Sequence, residues 1–139
     1  MSAVLSTLLA VSFVGPCSEK PIFEQEIAPQ FKTVGDASLH VLTQSGLAFE
    51  GNERGIHSIQ GTPIGLEAIE VISEQEMRAY GWCYEVDGIA PEEFPHQVNL
   101  TADTKKIRWY FAYAHFLNGQ WIAQCAPAYK IKPAFLCGE

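Results

Sequence analysis

One segment constrains the architecture more than any other. Lys106 to Tyr113 reads K-I-R-W-Y-F-A-Y. Alternation puts Ile107, Trp109, Phe111 and Tyr113 on one face of a strand and Arg108, Tyr110 and Ala112 on the other. Both faces are largely apolar or aromatic, so the strand belongs in the interior of a sheet with material covering both sides. Asn118-Gly119 follows as a two-residue hairpin turn between Ala114–Leu117 and Gln120–Ala123. A second strand, Tyr80 to Val86, places Trp82, Tyr84 and Val86 on one face and ends at Asp87-Gly88, another strong hairpin signal. Aromatics make up 12% of the chain, which supports a sheet-rich fold.

Between these strands and the N-terminus the pattern is mixed. Residues 18–37 hold prolines and acids with no clean period and read as an irregular arm. Ser38 to Thr43 reads as a short strand, Gln44-Ser45-Gly46 as a turn, and Leu47 to Glu50 as its antiparallel return. Gly51 to Gly55 is a loop, and Ile56 to Ile59 a further extended piece. Thr62-Pro63 then signals a helix, with Thr as N-cap and Pro at the first position. At helical spacing Leu66, Ala68, Ile69 and Ile72 face inward while Glu67, Glu70 and Glu74 form a solvated face. Residues 89–104 read as a wandering loop and 127–139 as a tail.

The first residues carry no charge before Glu19 and are densely apolar from Ala3 to Val14. They read as the h-region of a secretory signal, with small-x-small sites at Ala10-Val11-Ser12 and, less suitably, Gly15-Pro16-Cys17. The alternative is an ordinary buried strand or helix. Pro16 before Cys17 departs from what lipidation of that thiol requires. The organisation is thus a signal-like segment (1–17), an arm (18–37), one domain with a C-terminal hairpin (38–126) and a tail (127–139). Four cysteines behind an export-like start point to two disulfides and a secreted, periplasmic or extracellular location. Three pairings are open. No C-x2-C spacing suggests zinc, and no local histidine pattern suggests another metal.

Nine Lys and Arg against 16 Asp and Glu give a net charge of −7. With no basic cluster, nucleic acid is a poor partner. After removal of the leader no apolar run is long enough to span a bilayer.

G-T-P-I-G-L-E-A-I-E (61–70), G-W-C-Y-E-V-D-G (81–88) and K-I-R-W-Y-F (106–111) occur in that order. Together they resemble a family of small secreted domains of unknown function related to the C-terminal domain of transcobalamin and intrinsic factor. The resemblance spans residues 38–113. It implies an α+β fold of the ubiquitin-like β-grasp type, a mixed sheet with one packed helix, here with an extra C-terminal hairpin. It also implies a binding rather than a catalytic role, with cobalamin as the ligand by resemblance only. Asp87 stands where the family more often has Asn, and Asp103-Thr104-Lys105 where it has Gly-Asp. In a β-grasp the strand bearing Cys83 runs antiparallel to the closing strand. Counting outward from Leu117 and Gln120 sets Cys125 opposite Ala112, near Cys83, which leaves Cys17 to pair with Cys137.

No nucleophile elbow or phosphate loop is present, so no catalytic residues are assigned. The enzyme reading to weigh is a hydrolase using Cys83 with His96 or His115, and a mid-strand thiol has nothing there to activate it. His40 and His57 have no partner motif, and His40 and His115 read as half-buried strand residues. The favoured function is an exported, non-catalytic module holding a small ligand through Trp82, Tyr84, Trp109, Tyr110 and Trp121, at least half of which should be core. The rival is a structural or inhibitor-like protein that binds a partner chain by a sheet edge or the hairpin. A concave aromatic pocket favours the first; a flat face with an open edge favours the second.

Overall fold

The computed structural model describes residues 8–138. Its strands are β1 (Leu9–Val14), β2 (Pro21–Ile27), β3 (Phe49–Asn52), β4 (Gly55–Ile59), β5 (Ile69–Ser73), β6 (Glu76–Val86), β7 (Lys106–Leu117) and β8 (Gln120–Pro127). Helix α1 (Val34–Ser45) follows β2, and a single turn, α2 (Ala134–Cys137), ends the chain. The main sheet is mixed, with strand order β2-β1-β7-β6-β5. β1 runs parallel to Lys106–Tyr110 of β7, whereas β8 pairs antiparallel with its farther part, Ala112 to Leu117. β6 lies along nearly the whole other side of β7, from Glu76 opposite Leu117 to Val86 opposite Ile107. β3 and β4 form a separate hairpin. The class is α+β.

The core lies where α1 crosses β1 and β7. Thr33 caps the helix by accepting from the Asp36 N–H at 3.1 Å, and Gly46 ends it at φ +77°. Val34, Ala37, Val41 and Leu42 recur at helical spacing and are buried against Leu9, Val11, Phe13, Ile107 and Trp109. The Trp109 indole N–H would be orphaned at that depth, but it donates to Ser38 Oγ on the helix at 2.8 Å. On the opposite face Val14, Tyr110 and Ala112 pack with Tyr129, and the Arg108 guanidinium lies 4.7 Å above the Tyr110 ring. β7 is therefore covered on both faces here, as its alternation requires.

The N-terminal reading is corrected. Leu9 to Val14, read as part of a leader, is an interior strand; Leu9, Val11 and Phe13 are fully buried. A strand buried on both faces is as continuously apolar as a signal h-region, so composition cannot separate them. Residues 1–7, the start of that apolar run, lie outside the described residues. The boundary at residue 17 falls three residues after this strand, whose side chains are part of the core. The arm is not irregular: Pro21–Ile27 pairs with β1.

The helix is also moved. Ser38 to Thr43, read as a strand, belongs to α1, and His40 there packs its ring on Phe31. Residues 62–74, read as a helix, hold only one 3-10 turn, Gly65–Ala68, and then β5. Thr62 caps no helix. Its hydroxyl oxygen accepts from the Ile59 N–H and from the Trp82 indole N–H, closing the Gln60-Gly61 turn after β4. Leu66, expected to face inward, is 87% exposed. Glu70 is half-buried in a contact with Arg78 and Tyr80 rather than on an open face.

Disulfides join Cys83 to Cys125 and Cys17 to Cys137, with Cα separations of 5.9 and 5.4 Å. That pairing follows from the hairpin argument, but the register behind it shifts. Irregularities in β8 bring Pro127, not Cys125, opposite Ala112, and Cys125 sits in the bulged stretch at φ +51°. Two disulfides are compatible with a secreted or extracellular protein. Among the described residues no helix is long and apolar enough to cross a membrane.

Candidate functional site

The N-terminus of α1 fixes two loops against each other. Val34 N–H donates to the Val98 carbonyl, and Thr33 bridges to Asn99. Gly35 lets both loops approach: a Cβ there would collide with the Glu53 carbonyl in the β3–β4 turn and press on His96 N at 3.1 Å. Gly51 serves the hairpin similarly, at φ +148°, where a Cβ would meet Ile56 Cα at 2.7 Å. The β3–β4 hairpin and the loop around Phe94–Gln97 thus become the walls of an open cleft.

The outer part of this cleft, about 470 Å³, is lined by Asn52, Arg54, Gly55, His57, Phe94, His96 and Gln97. An inner part of about 260 Å³ shares Arg54, Gly55, His57 and Phe94 and reaches Ile56, Trp82, Tyr84, Trp109 and Glu93. Its floor is aromatic. Tyr84 stacks on Trp109 with ring centroids 5.0 Å apart, and Phe94 stacks on His96 at 6.0 Å. The Tyr84 hydroxyl donates to the Glu93 carbonyl at 2.5 Å, pinning the loop to the sheet. Burial, with the nearby Glu93 charge adding to it, pushes the Tyr84 phenol up to about 12, so it stays a neutral donor.

Of the five aromatics singled out in the sequence, the structure brings Trp82, Tyr84 and Trp109 to this cleft. Trp109 is nearly all core, and only its edge reaches the floor. Tyr110 is buried on the opposite sheet face beneath Arg108, and Trp121 packs against Phe116 near the β7–β8 turn. Sequence reasoning missed Arg54, His57, Phe94 and His96 as a group, since they come from the β3–β4 hairpin and a separate loop much farther along the chain, after β6. The one local signal was an Arg and two His beside glycine or proline turns, in a chain poor in both residues.

Cys83 is bonded to Cys125 and holds no free thiol for nucleophilic attack. His115 lies elsewhere, with its Nε2 at 2.6 Å from Glu76 Oε2. Among the described residues no group of three or more His, Cys, Asp or Glu is placed to hold a metal ion. Comparison with protein-family models and with curated proteins finds no match. The resemblance to the transcobalamin-related domains therefore rests on its three short motifs.

Proposed function

We propose that this protein is an exported, non-catalytic binding module that holds a small ligand in the cleft between the β3–β4 hairpin and the Phe94–Gln97 loop. The observation that carries this reading is a concave site with an aromatic floor and polar walls, of the size range that suits small molecules (roughly 300–1,000 Å³). Support for a β-grasp core comes from strand order. The β1–β2 hairpin, α1, and the β6–β7 pair with β7 parallel to β1 follow the order of that fold. The proposed kinship with the transcobalamin-related domains is supported by the W-x-Y-x-V-D-G piece. It occupies β6 and a tight turn at Asp87-Gly88, where the Asp87 carboxylate accepts from the Lys106 N–H at 2.8 Å. Cobalamin, the ligand the resemblance implies, is bulkier than this cleft encloses, and nothing in the reading depends on it.

A fragment set titrated into isotope-labelled protein tests the site. Shifts should concentrate at Arg54, His57, His96 and the Trp82 indole N–H. Fragments that gather elsewhere would remove the cleft from consideration.

One observation favours a second reading, a protein partner added along the sheet edge. Val71, Met77, Phe116 and Trp121 stand side by side across β5, β6, β7 and β8, with Val71 73% and Trp121 48% exposed. Among the described residues β5 pairs only with β6, so its outer edge can accept an extended segment. Peptide-induced shifts on β5 would favour this reading over the first.

A further inference from the structure

We infer that the cleft takes a planar, apolar small molecule bearing a carboxylate, with the carboxylate at the outer end near Arg54; this deepens the proposed function and rests on it. The inference comes from which hydrogen-bonding groups are already used. Asn52 Oδ1 accepts from the Arg54 N–H at 2.8 Å, so the free part of that side chain is its NH2 donor. Gln97 Oε1 accepts from the Phe94 N–H at 3.1 Å, which leaves its NH2 as the free group too. Both carboxamides thus have their acceptors engaged and donors to spare.

Arg54 points the same way. Arg54 forms no ion pair among the described residues, and no carboxylate residue lines the outer cleft, although the chain carries 16 acids. His57 adds another ring nitrogen, and His96 Nδ1 is buried without a partner. With Arg54 and the Asn52 and Gln97 amides presenting donors, and the histidine ring nitrogens able to donate as well as accept, the wall is complemented by a ligand that brings acceptors. A carboxylate brings two oxygens in the plane that a guanidinium fork matches.

The inner end has the opposite character. Beyond the Arg54 and His57 it shares with the outer part, it adds Ile56, Trp82, Pro95 and Trp109 as apolar and ring surfaces, and the Tyr84 hydroxyl is committed to the Glu93 carbonyl. Glu93 lies at this end and repels a second negative charge. The ligand is therefore oriented, with a flat neutral body against Trp82 and Trp109 and one anionic group beside Arg54, toward Asn52 and Gln97 and away from Glu93.

The test compares two probes of equal shape, 2-naphthoate and 2-naphthamide, by calorimetry and by shift mapping on the full chain. The carboxylate should bind at least about tenfold more tightly, with shifts at Arg54 and at the Trp82 indole. Arg54→Gln, on an exposed hairpin position, should abolish that preference, so that 2-naphthoate and 2-naphthamide bind the variant with equal affinity. Equal affinities with shifts in the cleft would overturn the ligand class and leave the cleft standing. A preference that survives Arg54→Gln would overturn the placement of the anion. Shifts from neither probe in the cleft would overturn the cleft reading and this inference with it.

Discussion

The two halves of β7 carry similar side chains in different surroundings. From Lys106 to Tyr110 the strand lies between β1 and β6, with α1 on one face and Tyr129 on the other. Ile107 and Trp109 are at most 2% exposed. From Tyr113 to Leu117 it lies between β6 and β8, in a four-stranded ribbon that also includes β5. Every residue of that stretch is only partly buried. One ribbon face is held by polar pairs, Glu76 with His115 and Arg78 with Glu70, the latter at 3.1 Å. The other carries the row from Val71 to Trp121. An aromatic strand thus reports a demand for cover, and tertiary neighbours decide whether it is met.

The largest expected effect breaks this comparison directly. Trp109→Ala should cost about 3–5 kcal/mol in urea unfolding, because it empties the site beneath α1 and leaves the Ser38 hydroxyl oxygen without its donor. Phe116→Ala in the ribbon should cost about 1 kcal/mol. Similar losses would mean that the ribbon is as well packed as the core.

The disulfide at the junction of the halves comes next. Replacing Cys83 and Cys125 by Ser opens a link spanning 42 residues and should cost about 2–4 kcal/mol. Amide exchange should accelerate more in β8 than in β1, since β1 is held by the core and lies beside the other, intact disulfide. Uniform acceleration would show that the ribbon has no independent stability.

Alkaline titration samples one tyrosine from each region. Burial first, with Glu70 adding to it, holds the ribbon's Tyr80 phenol up at about 12; Tyr84 beneath the cleft reaches about 12 as well. Both folded values lie above the unfolded value of 10.0. Their contribution to stability is therefore fully present below pH 10 and is lost as pH rises toward 12. Tyr80→Phe and Tyr84→Phe should each flatten the fall in Tm over that window. An unchanged slope in either variant would mean that its ring ionises as freely as in the unfolded chain.

The smallest effect sharpens the edge of the ribbon. Ile69 is 36% exposed on β5 rather than packed beneath a helix, so Ile69→Ala should cost about 1 kcal/mol. A loss of several kcal/mol would restore an inward-facing role.

The C-terminal half was more legible in the sequence than the N-terminal half. Asp87-Gly88 and Asn118-Gly119 adopt left-handed backbone (φ +50° and +85°, +51° and +81°), and those residue types carry that preference locally. The alternation in β6 and β7 was equally direct. The helix carried signals of its own, Thr33, Asp36 and the spacing of Val34, Ala37, Val41 and Leu42, yet its span reads as an arm and a short strand because Thr62-Pro63 offers a louder and false start signal. Ile69, Val71 and Ile72 suit a strand by their branching, and that preference prevails in β5. Trp82 and Tyr84 could be picked as site candidates because they are large and lie on one strand. Arg54 and His96 could not, because only the fit of Gly35 against both loops brings them together.

What the sequence by itself determined was local: where the chain turns, which residues alternate, and that four thiols suffice for two crosslinks. The tertiary structure alone decided that Leu9–Val14 is an interior strand, that the Val71–Trp121 row stays open, and that donors from two loops face one cleft. The physical reason is that turn geometry is set by the conformational freedom of one or two residues, whereas an apolar side chain asks only to leave water. It does not specify which neighbour will exclude it.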